Sequence, residues 1–436
     1  MRVKIVILLS FVMQLIACGG GSSGSEDSAA TAKPTPTAKL TLELQYQAYK
    51  CDITSPVSGA DIIFHRQDGS ILSQIKSAAD GKVNIDWPAE AKHISIAVDV
   101  NGETKINTYT DAVASDFGVL RYREASLDNS CSCETFTFDV SEVKAVYGGF
   151  TPLINSNESI TQTYCKNNER YAPVTIVLMP SQAGVSGFAA ELDLNGKDAS
   201  QTILISSSLF GNSNNVGVLL TASVVPFQPF NTRFRTYSET EYGRINWLGW
   251  QHEPQIFPNL YANNFVSSYF DENMGGNQYG DLYYFSSVQK RVTNPTVEQF
   301  LELPQNQFQL LEQTDVILSS MVNDGPTNYD FSTIGKGKIL LSVRLGENGI
   351  ADWSVEAPLT GVMPELSLPS EIELKFERMT NPKMYVMIYG YNTHLPSQFN
   401  EYRQQRAKRS REQSGVRSSQ IDNYVYELID IRLLRQ

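Results

Sequence analysis

The chain has 436 residues, 41% of them hydrophobic and 10% aromatic, which leaves room for two or three domains with real cores and excludes a disordered chain. Its formal net charge of −12 disfavours nucleic acid or anionic lipid as a general partner. The four histidines, His65, His93, His252 and His394, are widely spaced, and no zinc-protease pattern, phosphate loop, EF-hand loop or nucleophile elbow occurs in the folded part, so no metal or other cofactor is expected.

At the N-terminus Arg2 and Lys4 precede an apolar run from Ile5 to Ile16, too short to span a bilayer. The residues Leu15-Ile16-Ala17-Cys18, followed by Gly19-Gly20-Gly21, resemble the lipobox of bacterial lipoproteins. That resemblance implies removal of residues 1–17 as a signal peptide, lipidation of Cys18, and a membrane partner engaged through a lipid anchor. The mature chain would then carry 33 basic and 47 acidic residues, since Arg2 and Lys4 are lost. Gly19 stands where the resembling families carry Asp for inner-membrane retention, so the outer membrane is the expected address, with its face left open. Residues 18–39, rich in Gly, Ser, Ala and Thr and ending near Pro34 and Pro36, read as a flexible tether.

Four further cysteines remain: Cys51, Cys131, Cys133 and Cys165. Export to an oxidising compartment favours two disulfides, and a Cys131–Cys133 bridge would close a strained ring. Cys51 is therefore expected to join one member of that pair and Cys165 the other. A thiolate site for zinc or Cu(I) is the rival reading.

Period-two alternation recurs along the rest of the chain. It marks Leu40, Leu42 and Leu44; Val83, Ile85 and Trp87; Ile94, Ile96, Val98 and Val100; Phe136, Phe138 and Val140; Val174, Ile176 and Leu178; Ile339, Leu341, Val343 and Leu345; and Ile372, Leu374 and Phe376. Turn pairs such as Asp68-Gly69, Asp80-Gly81, Asn101-Gly102 and Asn348-Gly349 punctuate the strands. The expected fold is all-β, a tandem series of β-sandwich domains over 40–130, 131–290 and 291–436, the last with a basic insertion at 397–420. One short connector helix is expected from Asn294 and Pro295 to Pro304, with Val297, Phe300 and Leu301 on one face. Within the first segment, Val57-Ser58-Gly59-Ala60-Asp61-Ile62-Ile63-Phe64 and Ala79-Asp80-Gly81-Lys82-Val83-Asn84-Ile85 resemble carboxypeptidase-regulatory-like, prealbumin-type or bacterial Ig-like sandwiches. Such domains imply a spacer or binding module and carry no catalytic residue over to this chain.

Two stretches stand out as candidate sites. Between Trp247 and Phe285, rings at Trp247, Trp250, Tyr261, Tyr269, Tyr279 and Tyr283 are interleaved with Asn, Asp and Glu, a mixture suited to a glycan or to a protein surface and equally to a sandwich core. The loop Asn263 to Gly280 is the expected recognition surface. Arg403, Arg406, Lys408, Arg409, Arg411 and Arg417 reverse the local charge and are candidates for anion binding or for a solvated loop or helix. The reading that unites these features is an outer-membrane lipoprotein that binds or scaffolds in the envelope, its partner a glycan or protein. The alternative is an envelope glycan hydrolase whose carboxylates meet in a C-terminal cleft.

Overall fold

The computed structural model describes residues 38–225, 233–247, 253–323, 325–334, 337–391, 399–412, 415–417 and 423–433. The lipobox with Cys18, the tether up to residue 37, Trp250, His252 and His394 lie outside the described residues.

Alternation along the chain builds a mostly β protein dominated by one twelve-stranded sheet. From one edge its strands run Gly243–Asn246, Arg233–Thr240, Asn264–Gly276, Gly280–Arg291, Asn423–Leu433, Lys383–Tyr391, Leu340–Glu347, Ala351–Ala357, Glu103–Tyr109, His93–Val100, Asp61–His65 and Ile71–Lys76. Every neighbouring pair is antiparallel except Ala351–Ala357 beside Glu103–Tyr109, which pair in parallel from Ala351 opposite Thr104 to Glu356 opposite Tyr109. Strands from all three expected segments therefore share one sheet.

Smaller sheets cover the two ends of this platform. Lys39–Gln47, Thr54–Pro56, Lys82–Asp86 and Asp116–Arg123 form a four-stranded sheet. Leu40, Leu42 and Leu44 point from it onto Ile62, Phe64, Ile94, Ile96 and Val98 of the large sheet, so the 40–123 region is a two-layered β structure. At the Asn101-Gly102 turn both residues take the left-handed conformation, φ 51° and 84°, that a two-residue hairpin requires. Two three-stranded sheets follow, Cys133–Asp139 with Thr161–Cys165 and Thr202–Leu204, and Phe150–Ile154 with Val174–Pro180 and Phe188–Leu192. They enclose Phe136, Phe138, Ile176 and Leu178. Val177, alternating outward, enters a second core with Trp247, Ile256, Phe257, Val266 and Val288 at the far end of the large sheet.

Cys51 bonds to Cys131 and Cys133 to Cys165, the pairing scheme expected from the sequence, with Cα separations of 5.9 and 3.9 Å. Cys133 and Cys165 sit directly opposite one another in an antiparallel pair.

The helices depart from expectation. Four α-helices occur among the described residues: Ser141–Val146, Gln307–Asn323, Ser370–Glu377 and Phe399–Glu412. The expected helix at 294–304 is instead a turn, in which Asn294 accepts hydrogen bonds from the Thr296 amide and hydroxyl, followed by the strand Gln299–Glu302 pairing in parallel with Ala222–Val225. Phe300 is 56% exposed between buried Gln299 and Leu301, which is a strand's period and not a helix's. The expected strand through Ile372, Leu374 and Phe376 is a helix: Pro369 precedes it, the Leu368 amide donates to Glu373, and Ile372 and Phe376, four apart, share the face against Ile63, Ala97, Ile106 and Trp353 while Leu374 faces solvent.

Helix Gln307–Asn323 lays Leu310, Ile317 and Leu318 on Leu341, Val343, Val386, Ile388, Ile429 and Ile431. A buried charge cluster pins its start. The Glu427 carboxylate is fully buried and accepts from the Tyr284 hydroxyl at 2.5 Å, the Asn306 amide at 3.0 Å, Asn306 Nδ2 at 2.9 Å and the Lys338 ammonium, which also donates to the Ile334 carbonyl. Each charge is thus paired and hydrogen-bonded, as a buried ion pair requires.

Candidate functional site

The large sheet is covered unequally. One face carries helices Gln307–Asn323 and Ser370–Glu377. On the opposite face the four-stranded sheet covers one end, and helix Phe399–Glu412 lies beside it, packing Phe399 and Tyr402 against Tyr389 and Tyr391. Beyond that helix, the register places two rows of side chains across the central strands. One reads Asp271, Phe285, Leu428, Met387, Ser342 and Glu356; the next reads Asn273, Tyr283, Asp430, Tyr385, Arg344 and Ser354. Tyr269, Tyr283, Phe285, Tyr385, Met387, Tyr426 and Leu428 are half-buried here and contribute to none of the buried cores.

The rings of this face contact one another. Tyr269 stacks on Phe285 at 5.8 Å, Phe285 meets Tyr426 at 5.8 Å, and Tyr426 meets Tyr389 at 6.5 Å, a ladder crossing four strands. Guanidinium groups lie over its margins, Arg235 over Tyr269 at 4.6 Å, Arg432 over Tyr283 at 5.1 Å and Arg344 over Tyr385 at 5.9 Å. Arg344 also grips Asp352 through two bonds of 2.6 and 2.7 Å. In the middle of the second row, between Tyr283 and Tyr385, Asp430 keeps one carboxylate oxygen buried with no hydrogen-bond partner among the described residues. Burial raises the acid above its ordinary value, against the pull of Lys383 and Arg432. The face therefore presents flat apolar rings and fixed cations around a partly buried carboxylate.

The aromatic residues singled out from the sequence divide. Trp247 is buried, donates to the Ser238 hydroxyl at 2.8 Å and packs on Phe257, while Tyr261 is buried and bonded to Thr175, so both are core. The expected recognition loop from Asn263 to Gly280 is mostly strand, because Asn264–Gly276 pairs along its length with Gly280–Arg291. Tyr279, at the tip of this hairpin, bonds Ser319 of helix Gln307–Asn323. Of the group's described members, Tyr269 and Tyr283 lie on the open face. Phe285, Tyr385, Tyr426 and Asp430 join them. Their alternation was visible in the sequence; their adjacency depends on strand order.

The basic stretch is largely engaged within the chain. Arg406 bonds Glu356 at 2.7 Å, Arg411 holds Asp116 at 2.6 Å and lies 3.7 Å from Glu43, and Arg417 is buried against Glu239 at 2.7 Å. Lys408 pairs along the helix with Glu412 at 3.8 Å, and Arg403 is buried over the rings of Phe117 and Tyr109. Arg409 is half-buried with no ion pair among the described residues. Arg403 and Arg411 dock helix Phe399–Glu412 onto the first β layer, where the Arg411 guanidinium holds Asp116 down at about 2. Gly118, at φ 77°, makes the approach possible, since a Cβ there would meet the Ala407 carbonyl at 2.8 Å.

Among the described residues no helix is long and apolar enough to cross a membrane, and no group of three or more His, Cys, Asp or Glu side chains is placed to hold a metal ion. Comparison with protein-family models, with curated proteins and with solved structures finds no match to this chain.

Proposed function

We propose that this chain is an outer-membrane lipoprotein, anchored through Cys18, that binds an envelope glycan on the open tyrosine-rich face of its large sheet. The 40–123 layer then serves as an Ig-like or prealbumin-like module between anchor and face. The supporting observation is the two-row grid in which Asp430 lies between Tyr283 and Tyr385 with Arg344 alongside. Sugars present apolar C–H faces and hydroxyl edges, which rings and fixed charges respectively accommodate. Binding of the mature, disulfide-intact protein to envelope polysaccharide and peptidoglycan fragments tests the reading. Tyr283→Ala and Tyr385→Ala should each weaken retention by about tenfold, the scale of a central interface residue. Retention unaffected by both variants would overturn it. For the anchor, Cys18→Ala should move the protein from the membrane to the soluble fraction.

One observation favours the hydrolase alternative. Asp281 lies diagonally across from Asp430 on adjacent strands of the same open face, so two acidic residues stand beside the tyrosines, as a glycosidase pair requires. In that reading Asp430, raised by burial, is the acid and exposed Asp281 the base. Release of reducing ends from peptidoglycan that disappears in Asp430→Asn would establish it, whereas glycan retention without release favours the binder.

A further inference from the structure

The buried cluster at the start of helix Gln307–Asn323 brings an amine, a carboxamide and a carboxylate together. Glu427 Oε2 accepts from Asn306 Nδ2 at 2.9 Å and from the Lys338 ammonium. Two donors on one oxygen stand at most about 6 Å apart, so the lysine nitrogen and the asparagine carboxamide are neighbours. The setting is closed and apolar. The Lys338 side chain is 2% exposed and that of Glu427 0%, and Tyr284, whose hydroxyl fixes the other carboxylate oxygen at 2.5 Å, belongs to the core of Leu310, Ile334 and Ile429. Burial, the first cause, lowers Lys338 below the ordinary lysine value against the pull of Glu427. An amine so placed gives up its proton more readily, and the neutral amine is a nucleophile.

We propose that Lys338 and Asn306 are joined by an intramolecular isopeptide bond, formed within the folded chain with Glu427 as its catalytic acid and base. Glu427 first takes a proton from the Lys338 ammonium. The neutral Nζ then attacks Cγ of Asn306 and forms the new C–N bond. Glu427 passes its proton to Nδ2 and receives another from Nζ, and the Cγ–Nδ2 bond breaks with release of ammonia. The products are one amide, one ammonia and a neutral Glu427 carboxyl, and no other reactant is consumed. Attack requires Nζ within about 3–3.5 Å of Cγ, and the shared carboxylate has already gathered both groups, which removes most of the entropic barrier. The contacts with Glu427 are therefore the state before reaction. The bond ties Asn306, just ahead of the helix, to Lys338, just ahead of strand Leu340–Glu347, beside strand Asn423–Leu433 in the middle of the large sheet.

Peptide mass mapping of the full mature chain, with disulfides reduced after digestion, tests the assignment. Trypsin does not cut after an acylated lysine, so a branched peptide should appear, about 17 Da lighter than its two unjoined peptides, with fragmentation placing the branch at Lys338 and Asn306. Glu427→Gln should leave the two residues on separate peptides, in a protein whose far-UV spectrum and melting curve show that it folds. If that variant fails to fold, the unmodified chain decides alone. Asn306→Ala keeps the Lys338–Glu427 ion pair without the bond and is the background in which the ion pair is measured by itself. Separate peptides in the unmodified chain, a loss of about 18 Da with Lys338 joined to Glu427, or a Lys338–Asn306 bond that persists in Glu427→Gln overturns the proposal.

Discussion

Acidification should destabilise this protein through two histidines paired inside its sheet. His65 and His93 are directly opposite on neighbouring strands and both fully buried. The Trp353 indole N–H donates to the Thr108 hydroxyl at 2.8 Å, Thr108 lies 2.7 Å from the Ser95 hydroxyl, and Ser95 lies 2.8 Å from His65 Nε2. Indole is a donor only, so passing each hydroxyl proton along the chain makes Nε2 the acceptor and leaves Nδ1–H to donate to the Gly69 carbonyl at 3.2 Å. His93 Nδ1 accepts the Asp111 amide at 3.1 Å and is likewise committed to the neutral form. Burial, the first cause, pulls His65 down to about 4 and lowers His93 as well. The unfolded chain therefore binds protons that the folded one refuses. Stability is complete above about pH 6.5, falls as pH drops toward 4, and is lower at pH 5 by about 2 kcal/mol from His65 alone. Urea midpoints at pH 7.5 and pH 5 read this directly. His65→Gln and the His65→Gln/His93→Gln double variant control for carboxylates, since each removes titrating imidazole and should flatten the pH dependence whatever its constant cost. An equal drop in stability in the unmodified protein and the double variant would refute the reasoning.

Three other outcomes follow from the packing. Replacing Cys51 and Cys131 by Ala reopens a loop with a sequence separation of 80, which loop-closure entropy values at about 4.5 kcal/mol, against about 3.7 kcal/mol for Cys133–Cys165 with a separation of 32; guanidinium midpoints should rank the two in that order. Lys338→Met leaves the Glu427 carboxylate buried without its counter-charge and should cost about 3–5 kcal/mol in denaturant unfolding, much of it recovered when Glu427→Gln is added. Gly118→Val forces a side chain into the Ala407 backbone at a left-handed position, so hydrogen exchange should rise through helix Phe399–Glu412 while the central strands stay protected.

Local signals carried the strand content and not the assembly. The alternation at Leu40, Leu42 and Leu44, at Ile94 to Val100 and at Val174 to Leu178 identifies strands because one face of each is buried. That neighbouring Cys131 and Cys133 take separate partners was legible too, whereas which of them joins Cys51 follows only from the strand register. Ile372, Leu374 and Phe376 misled because three apolar residues at a spacing of two also place the first and third on one helical face, and Pro369 with Glu371 and Glu373 in the first turn decides for helix. Leu301 misled in the opposite sense, as its burial between exposed Phe300 and Glu302 is a strand's signature. The basic run looked like a site because its counter-charges, Glu43, Asp116, Glu239 and Glu356, are distant in sequence. No local pattern reports such partners.

The parallel junction between Ala351–Ala357 and Glu103–Tyr109 has the largest consequence for the proposed binding face. Separate sandwiches would leave an exposed strand edge on each side of a domain boundary, and an exposed edge is a site of unwanted pairing. Here those edges close on each other, and Trp353 from one segment bonds Thr108 of the other while Lys105 reaches Asp352 across the same seam at 3.2 Å. The tyrosine face thereby shares a single hydrogen-bonded sheet with the strands of the 40–123 region onto which the four-stranded sheet packs. Its rows are pre-positioned by main-chain register and not by mobile loops, so a ligand on this face meets side chains whose ordering cost was met when the sheet folded. Mutations that loosen the seam, far from Tyr283 and Tyr385, should therefore weaken binding without touching a contact.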